Sequence, residues 1–425
     1  MASLRGAAIF ALSVHLASRI VGFIANVLLL RLFLPNWIGG FTLIVGTAQF
    51  LSSLARLGTD YTFQLNACKL PAEDRGGLQK QFLIWNFFFN AIAVLLAWPF
   101  LKDSLSTLAE SPIAVCLIFA YLFVESYVDV LWEPVLSSRR YSTVFSRHFQ
   151  VAITKGFLPL IAGLAFGWLG LILGLLLASC LNCIAAIFSL SRLPTATGMP
   201  LPLRRFLSEG LPFFAVPVAQ QFVFWPAMLS LADGRGLASV GLIRVAQLMM
   251  QVVGVIPAAI APILMIENAH GHANSIERLA RSMRLMALIG TGIFAIYCLL
   301  DTTLVTVFFG KSYVAAVVPA RAMVLAAVYT SVAQLFQQQA FQGKYLWQQC
   351  GLQLLFFCLC APIGLIWLLP KYGVEGFALL TLAVAFGNLF IFLLWDPQRV
   401  TRSWDNFISG IFLLVAPLLL LQHHP

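Results

Sequence analysis

Charge is what this 425-residue sequence has least of. Only 10% of its residues are charged, against about 25% in soluble domains, and 60% are hydrophobic, with a mean hydropathy of +0.91. A soluble enzyme is excluded by that balance. Nucleotide motifs are missing too: neither GxxxxGK[ST] nor GxGxxG stands anywhere in the chain, so it carries no ATP-driven motor of its own. The eight cysteines lie mostly within apolar runs. Their only CxxC pair, Cys180 and Cys183, has no second pair to complete a tetrahedral site, so they read as small apolar filler. His270 and His272, in ENAHGH, read as a solvated loop rather than a metal site. No cofactor and no metal are expected.

What is present is hydrocarbon-length sequence. A bilayer core about 30 Å thick needs about 20 apolar residues per helix, and runs of that length recur over nearly the whole chain. The expected spans are 7–33, 38–57, 82–101, 113–136, 149–166, 169–190, 207–231, 237–266, 285–308, 319–341, 350–369 and 376–395. The fold class is therefore an all-α polytopic membrane protein with about 12 transmembrane helices. A further run, Phe407 to Leu421, reads either as a short thirteenth helix or as an interfacial segment. The first run lacks a small-residue cleavage site and is too long for a signal peptide, so it is expected to remain as helix one.

With the N-terminus in the cytoplasm, the inner segments hold sixteen Lys and Arg residues and the outer segments four. This positive-inside bias sets the orientation and accounts for most of the +10 net charge, leaving no reason to invoke nucleic acid. The stretch SRLPTATGMPLPLRR, 191–205, reads as a cytoplasmic linker between an N-terminal six-helix bundle (1–190) and a C-terminal one (206–396), followed by a tail, 397–425. Gly167, Gly170 and Asn182 recur as Gly373, Gly376 and Asn388, each displaced by 206 residues. That is a faint sign of duplication, which would give two halves of like orientation around a central cavity.

The stretch VESYVDVLWE, 124–133, holds the residues of most interest. Glu125, Asp129 and Glu133 are spaced i, i+4, i+8, so they drift only about 80° around a helix while rising about 12 Å. A lipid-facing acid near the midplane costs at least about 2.5 to 3.5 kcal/mol, so this stripe faces protein or water. Arg19 on the first helix and Lys155 on the fifth are the candidate partners. Two readings stand: fixed ion pairs joining helices, or a wet path in which the bases meet an anion and an acid takes up a coupling proton. Glu133, near the inner surface, fits the first; Arg19, Glu125, Asp129 and Lys155 fit the second, with Arg244 on the eighth helix as a further cavity candidate. Arg31, Arg56 and Arg321 lie near span ends and read as snorkelling anchors. Counted together, the intramembrane charges leave almost no cationic surplus.

Pro212, Pro217 and Pro226 in the seventh helix remove backbone bonds and read as a hinge or as static kinks. The amides of QLFQQQAFQ, 334–342, read as interhelical glue or sugar contacts, and Gly163, Gly167, Gly170 and Gly174 as close packing between helices five and six.

RLFLPNWIGGFTLIVGTAQFLSSLARLG (31–58), VGLIRVAQLMMQVVGVIPAAIAPIL (240–264), FFGKSYVAAVVPARAMVLAAV (308–328) and LPKYGVEGFALLTLAVAFGN (369–388) resemble the O-antigen flippase (Wzx-like) polysaccharide-transporter branch of the multidrug, oligosaccharidyl-lipid and polysaccharide (MOP) exporter superfamily. The resemblance implies two six-helix bundles in a V around a central cavity. It implies a flippase, not an enzyme, in the bacterial inner membrane. Such a protein moves undecaprenyl-diphosphate-linked oligosaccharide from the cytoplasmic to the periplasmic leaflet for O-antigen, capsule or exopolysaccharide assembly. Alternating access, coupling to H+ or Na+, and a polysaccharide polymerase and chain-length regulator as partners belong to the same expectation. A cation-coupled drug or metabolite antiporter of the superfamily is the alternative, and a membrane-embedded polymerase or ligase the third.

Overall fold

The computed structural model describes residues 2–67, 70, 75–104, 111–137, 141–193, 200–269, 275–340 and 346–394. The run Phe407 to Leu421, His270, His272 and the linker's middle, 194–199, lie outside them. Among the described residues the chain is helical without a strand, as uninterrupted apolar sequence in hydrocarbon requires, because only intra-helical bonds satisfy every N–H and C=O there. Among the described residues, nine helices are long and apolar enough to cross a membrane.

The first compact unit, residues 1–225, contains α1 (Ala2–Leu32), α2 (Pro35–Arg56), the short α3 (Thr59–Ala67), α4 (Gly76–Ser104), α5 (Pro112–Ser137), α6 (Tyr141–Ser191) and the first part of α7 (Leu203–Arg235). The second unit, residues 226–425, begins within α7. It continues through α8 (Leu237–Ala269), α9 (Ser275–Phe309), a 3-10 turn (Lys311–Ala316), α10 (Val317–Ala340), α11 (Leu346–Pro362), a π turn (Ile363–Leu368), α12 (Leu369–Tyr372) and α13 (Val374–Leu394).

The single run α6 covers two expected spans. It is broken at Gly167, whose φ of 63° and ψ of −139° lie in a region that favours glycine. The chain reverses there. A Cβ on Gly170 would stand 1.9 Å from the Ala162 carbonyl oxygen, and one on Gly174 would stand 2.5 Å from Pro159 Cα. The two limbs are therefore antiparallel and in backbone contact, as the glycine spacing predicts.

The second unit repeats this device 206 residues later. Gly373 takes φ 56° and ψ −121°, and a Cβ on Gly376 would meet the Leu368 carbonyl oxygen at 2.3 Å. Position by position, Ala162 corresponds to Leu368 and Gly170 to Gly376. One further pair is exchanged: Leu158 faces Gly174 in the first hairpin, whereas Gly364 faces Leu380 in the second. The small residue changes limb while the pair keeps the close approach. The duplication that is faint in sequence is thus plain in backbone conformation.

Candidate functional site

The site rests on α5, the central helix of the first unit. From Ile118 to Val135 no α5 residue is exposed, because α2, α4 and α6 surround it. The α4 side of the contact is held by ordinary interhelical polar bonds: Asn90 Nδ2 donates to the Phe123 carbonyl at 2.9 Å, and Tyr127 donates to the Leu83 carbonyl at 3.0 Å. The acid stripe lies elsewhere, where α2 and α6 converge.

Glu125 is bound on both oxygens. Oε1 accepts from Lys155 on the first limb of α6, and Oε2 accepts from the Ser179 hydroxyl on the second limb at 2.6 Å. One level away, Asn182 Nδ2 reaches Thr154 Oγ1 at 3.2 Å, again between the two limbs. Glu125 keeps 16% of its side chain exposed and Lys155 29%. This is a nearly closed pair, and it also pins the two limbs of α6 to α5.

Asp129, one turn on, is held differently. Arg147 of α6 binds Oδ1, and Arg56 of α2 stands 3.8 Å from Oδ2. Arg56 is itself oriented by its Nε to the Ser52 carbonyl at 3.0 Å, by Nη2 to Ser52 Oγ at 2.9 Å, and by Asp60 of α3 at 3.5 Å. The Arg147 guanidinium lies 5.0 Å from the centre of the Trp132 ring, a cation–π placement. Despite these partners, 45% of the Asp129 side chain is open. No whole residue of α5 is exposed at this level, and an ionised carboxylate bared to acyl chains is too costly to persist, so water or protein is the expected neighbour of that surface. Glu133 completes the stripe, half-buried.

Of the candidate residues, the structure brings together Glu125, Asp129 and Lys155. Arg19 does not join them. It is exposed on α1 and, among the described residues, has no acidic partner. The packed face of α1 carries Ser18, Ala25 and Leu29, and its exposed apolar face Leu16, Ile20 and Ile24. At about 100° per residue Arg19 falls on the flank between the two. Gly22, less than a turn away, adjoins open space. Arg244 is half-buried on α8, in the second unit. Pro212, Pro217 and Pro226 all lie within α7, which is helical through all three.

Two expected anchors are corrected. Arg56 is a partner of Asp129 and Asp60 rather than a snorkelling residue, and Arg321 of α10 is paired with the buried Asp301 of α9. Two further residues of the site lie outside the sequence expectations: Arg147, which precedes the expected span 149–166, and Ser179. A signal for Arg147 was present: Arg147 and Lys155 are i, i+8, so they share a face that matches Glu125 and Asp129 on an antiparallel neighbour.

No protein-family model matches the sequence, and no curated protein does. Solved structures do match in fold. A multidrug resistance MATE family transporter of the MOP superfamily in its inward-facing conformation aligns at a TM-score of 0.65 with 14% identity, over 94% of this chain and 99% of that one. An outward-facing MATE transporter aligns at 0.65 with 14% identity, over 93% and 96%. The lipid II flippase MurJ, in an inward closed conformation, aligns at 0.74 with 12% identity, over 98% of this chain and 93% of its own. At such identities the likeness is one of fold, and the chain has the two-bundle helical fold of MOP-superfamily transporters.

Proposed function

We propose that this chain is a flippase of the polysaccharide-transporter branch, moving undecaprenyl-diphosphate-linked oligosaccharide from the cytoplasmic to the periplasmic leaflet of a bacterial inner membrane. The observation that carries the reading is the half-open Asp129 side chain, set in the stretch of α5 from Ile118 to Val135 where no whole residue is exposed. A hydrated, charged recess inside a membrane bundle is what a polar headgroup needs to leave water without entering hydrocarbon. Arg19, exposed on the flank of α1, supplies a cation for a diphosphate, and Arg244 is the corresponding candidate in the second unit. The likeness to a lipid II flippase over 98% of the chain supports a lipid-linked substrate. In this reading Glu125 and Lys155 set the α5–α6 geometry, and Asp129 is the group that exchanges partners with H+ or Na+ as access alternates.

The test is a deletion strain. Loss of the protein leaves the lipid-linked repeat unit on the cytoplasmic face and removes surface polymer, and Arg19→Ala and Asp129→Ala variants fail to restore it while accumulating in the membrane. Full restoration by both variants overturns the assignment of these residues. The MATE likeness and the acid stripe together favour one second reading, a cation-coupled drug or metabolite antiporter. Uptake of labelled organic cations by proteoliposomes, with no effect of the deletion on surface polymer, decides for it.

A further inference from the structure

The 191–205 segment reads as the flexible connection between halves, yet its described end is fastened. Gln81 of α4 grips Leu201 with two bonds: Nε2 donates to the Leu201 carbonyl at 2.8 Å, and the Leu201 N–H donates to Oε1 at 2.9 Å. A side-chain amide paired with one peptide unit fixes that unit in both position and orientation. Phe206, on the first turn of α7, is fully buried in a cluster with Phe63 of α3, Phe82 of α4 and Val130 of α5.

One turn further, α7 touches the α2–α3 corner backbone to backbone. Gly58 has φ +70°, and a Cβ there would lie 2.1 Å from the Gly210 carbonyl oxygen; a Cβ on Gly210 would lie 2.3 Å from the Gly58 oxygen. Both positions must lack a side chain for the contact to exist. At the far end of the same stretch, Trp225 Nε1 donates to Thr47 Oγ1 of α2 at 2.9 Å. Its ring stacks on Phe50 with centroids 4.4 Å apart and planes within 4°, and Phe222 meets Phe50 edge-on at 5.1 Å.

The next residue is Pro226. It has no N–H to give the Phe222 carbonyl, and its ring crowds that carbonyl; Pro212 and Pro217, earlier in α7, lack an N–H too, but Pro226 differs in lying just beyond the Trp225 contact with α2. The division between the two compact units also falls between Trp225 and Pro226.

We propose that residues 201–225 are a built-in part of the first unit, fastened at the Gln81 clasp, the Phe206 plug, the Gly58–Gly210 contact and the Trp225 peg. The joint at which the second unit moves is then Pro226, not the 191–205 linker. The inference concerns where the chain bends and holds for any cargo.

Spin-label distances test it. In a background with the natural cysteines replaced, Ile113→Cys on α5 is paired with Leu211→Cys or with Ser230→Cys, all three being exposed positions. Double electron–electron resonance is recorded in phosphatidylethanolamine–phosphatidylglycerol nanodiscs. The 113–211 pair is expected to give one narrow distribution and the 113–230 pair one several-fold broader. Equal widths, or a broader 113–211 distribution, place the joint elsewhere and overturn the proposal. Gly210→Val, which drives a side chain into the Gly58 carbonyl, broadens the 113–211 distribution. Where that variant does not accumulate, Trp225→Ala, which removes the peg alone, does the same. A 113–211 width unchanged by Trp225→Ala also overturns it.

Discussion

Replacing Lys155 by methionine leaves Glu125, with 16% of its side chain exposed, supported among the described residues by the Ser179 hydroxyl alone. Removing one member of a buried ion pair costs about 3 to 5 kcal/mol, mostly through the charge left behind. The residual openness of this pair places the loss near the lower end, about 3 kcal/mol, which at about 1.36 kcal/mol per tenfold is roughly two decades in the folded-to-unfolded ratio. Glu125→Gln is milder, because Lys155 keeps 29% exposure and its flexible stem reaches water. The double variant Lys155→Met/Glu125→Gln removes both charges and is expected within about 1 kcal/mol of the parent. A membrane protein seldom unfolds reversibly, so the readout is the rate of heat inactivation in detergent. A pair already broken in the transition state shows its whole contribution there. The reasoning is refuted if Lys155→Met decays as slowly as the parent, or if the double variant decays as fast as Lys155→Met.

Asp129→Asn is expected to lose surface polymer in a complementation assay. It also costs about 1 to 3 kcal/mol of stability, because Arg147, with 16% of its side chain exposed, loses its counter-charge while the amide oxygen still accepts a hydrogen bond. Arg19→Gln is expected to leave heat inactivation unchanged, because no described acid loses a partner, and likewise to abolish polymer. Gly170→Ala and Gly376→Ala insert a methyl group against the Ala162 and Leu368 carbonyls, and both are expected to lower the yield of folded protein in size-exclusion profiles. Overpacking of this kind costs about 1 to 3 kcal/mol. Gly292→Ala, with nothing within 4 Å of the added atom, is expected to be neutral or stabilising by about 0.5 to 1 kcal/mol in the same assay.

The fold is legible in the sequence because run length decides it: hydrocarbon admits only helices, and the glycines at 167 and 373 mark where two of them reverse. The acid stripe is legible for a related reason, since i, i+4, i+8 spacing places a row on one face without knowledge of the neighbours. Its partners are not. Depth in the bilayer made Arg19 a natural mate for Glu125, but depth does not say which helices adjoin, and Arg19 lies on the flank of α1 with no described acid beside it. Arg147 precedes the expected span 149–166, because a span bounded by hydropathy ends where charge begins. The helix starts at Tyr141, and Arg147 turns inward from its second turn. Ser179 carried no signal, since a lone hydroxyl in an apolar helix commonly bonds its own backbone. The anchoring of α7 was hidden as well: a proline-rich linker announces a chain break, but only the partners of Leu201, Phe206 and Trp225 reveal that the break is pinned.

The measurement closest to the central claim is thiol accessibility at position 129. With the natural cysteines replaced, Asp129→Cys in intact inverted vesicles is treated with a membrane-impermeant methanethiosulfonate and, separately, with a lipid-soluble maleimide. A hydrated recess predicts modification by the impermeant reagent at a rate close to that of a cytoplasmic-loop control. Protection from that reagent together with ready labelling by the lipid-soluble one would turn the stripe towards acyl chains and contradict the account.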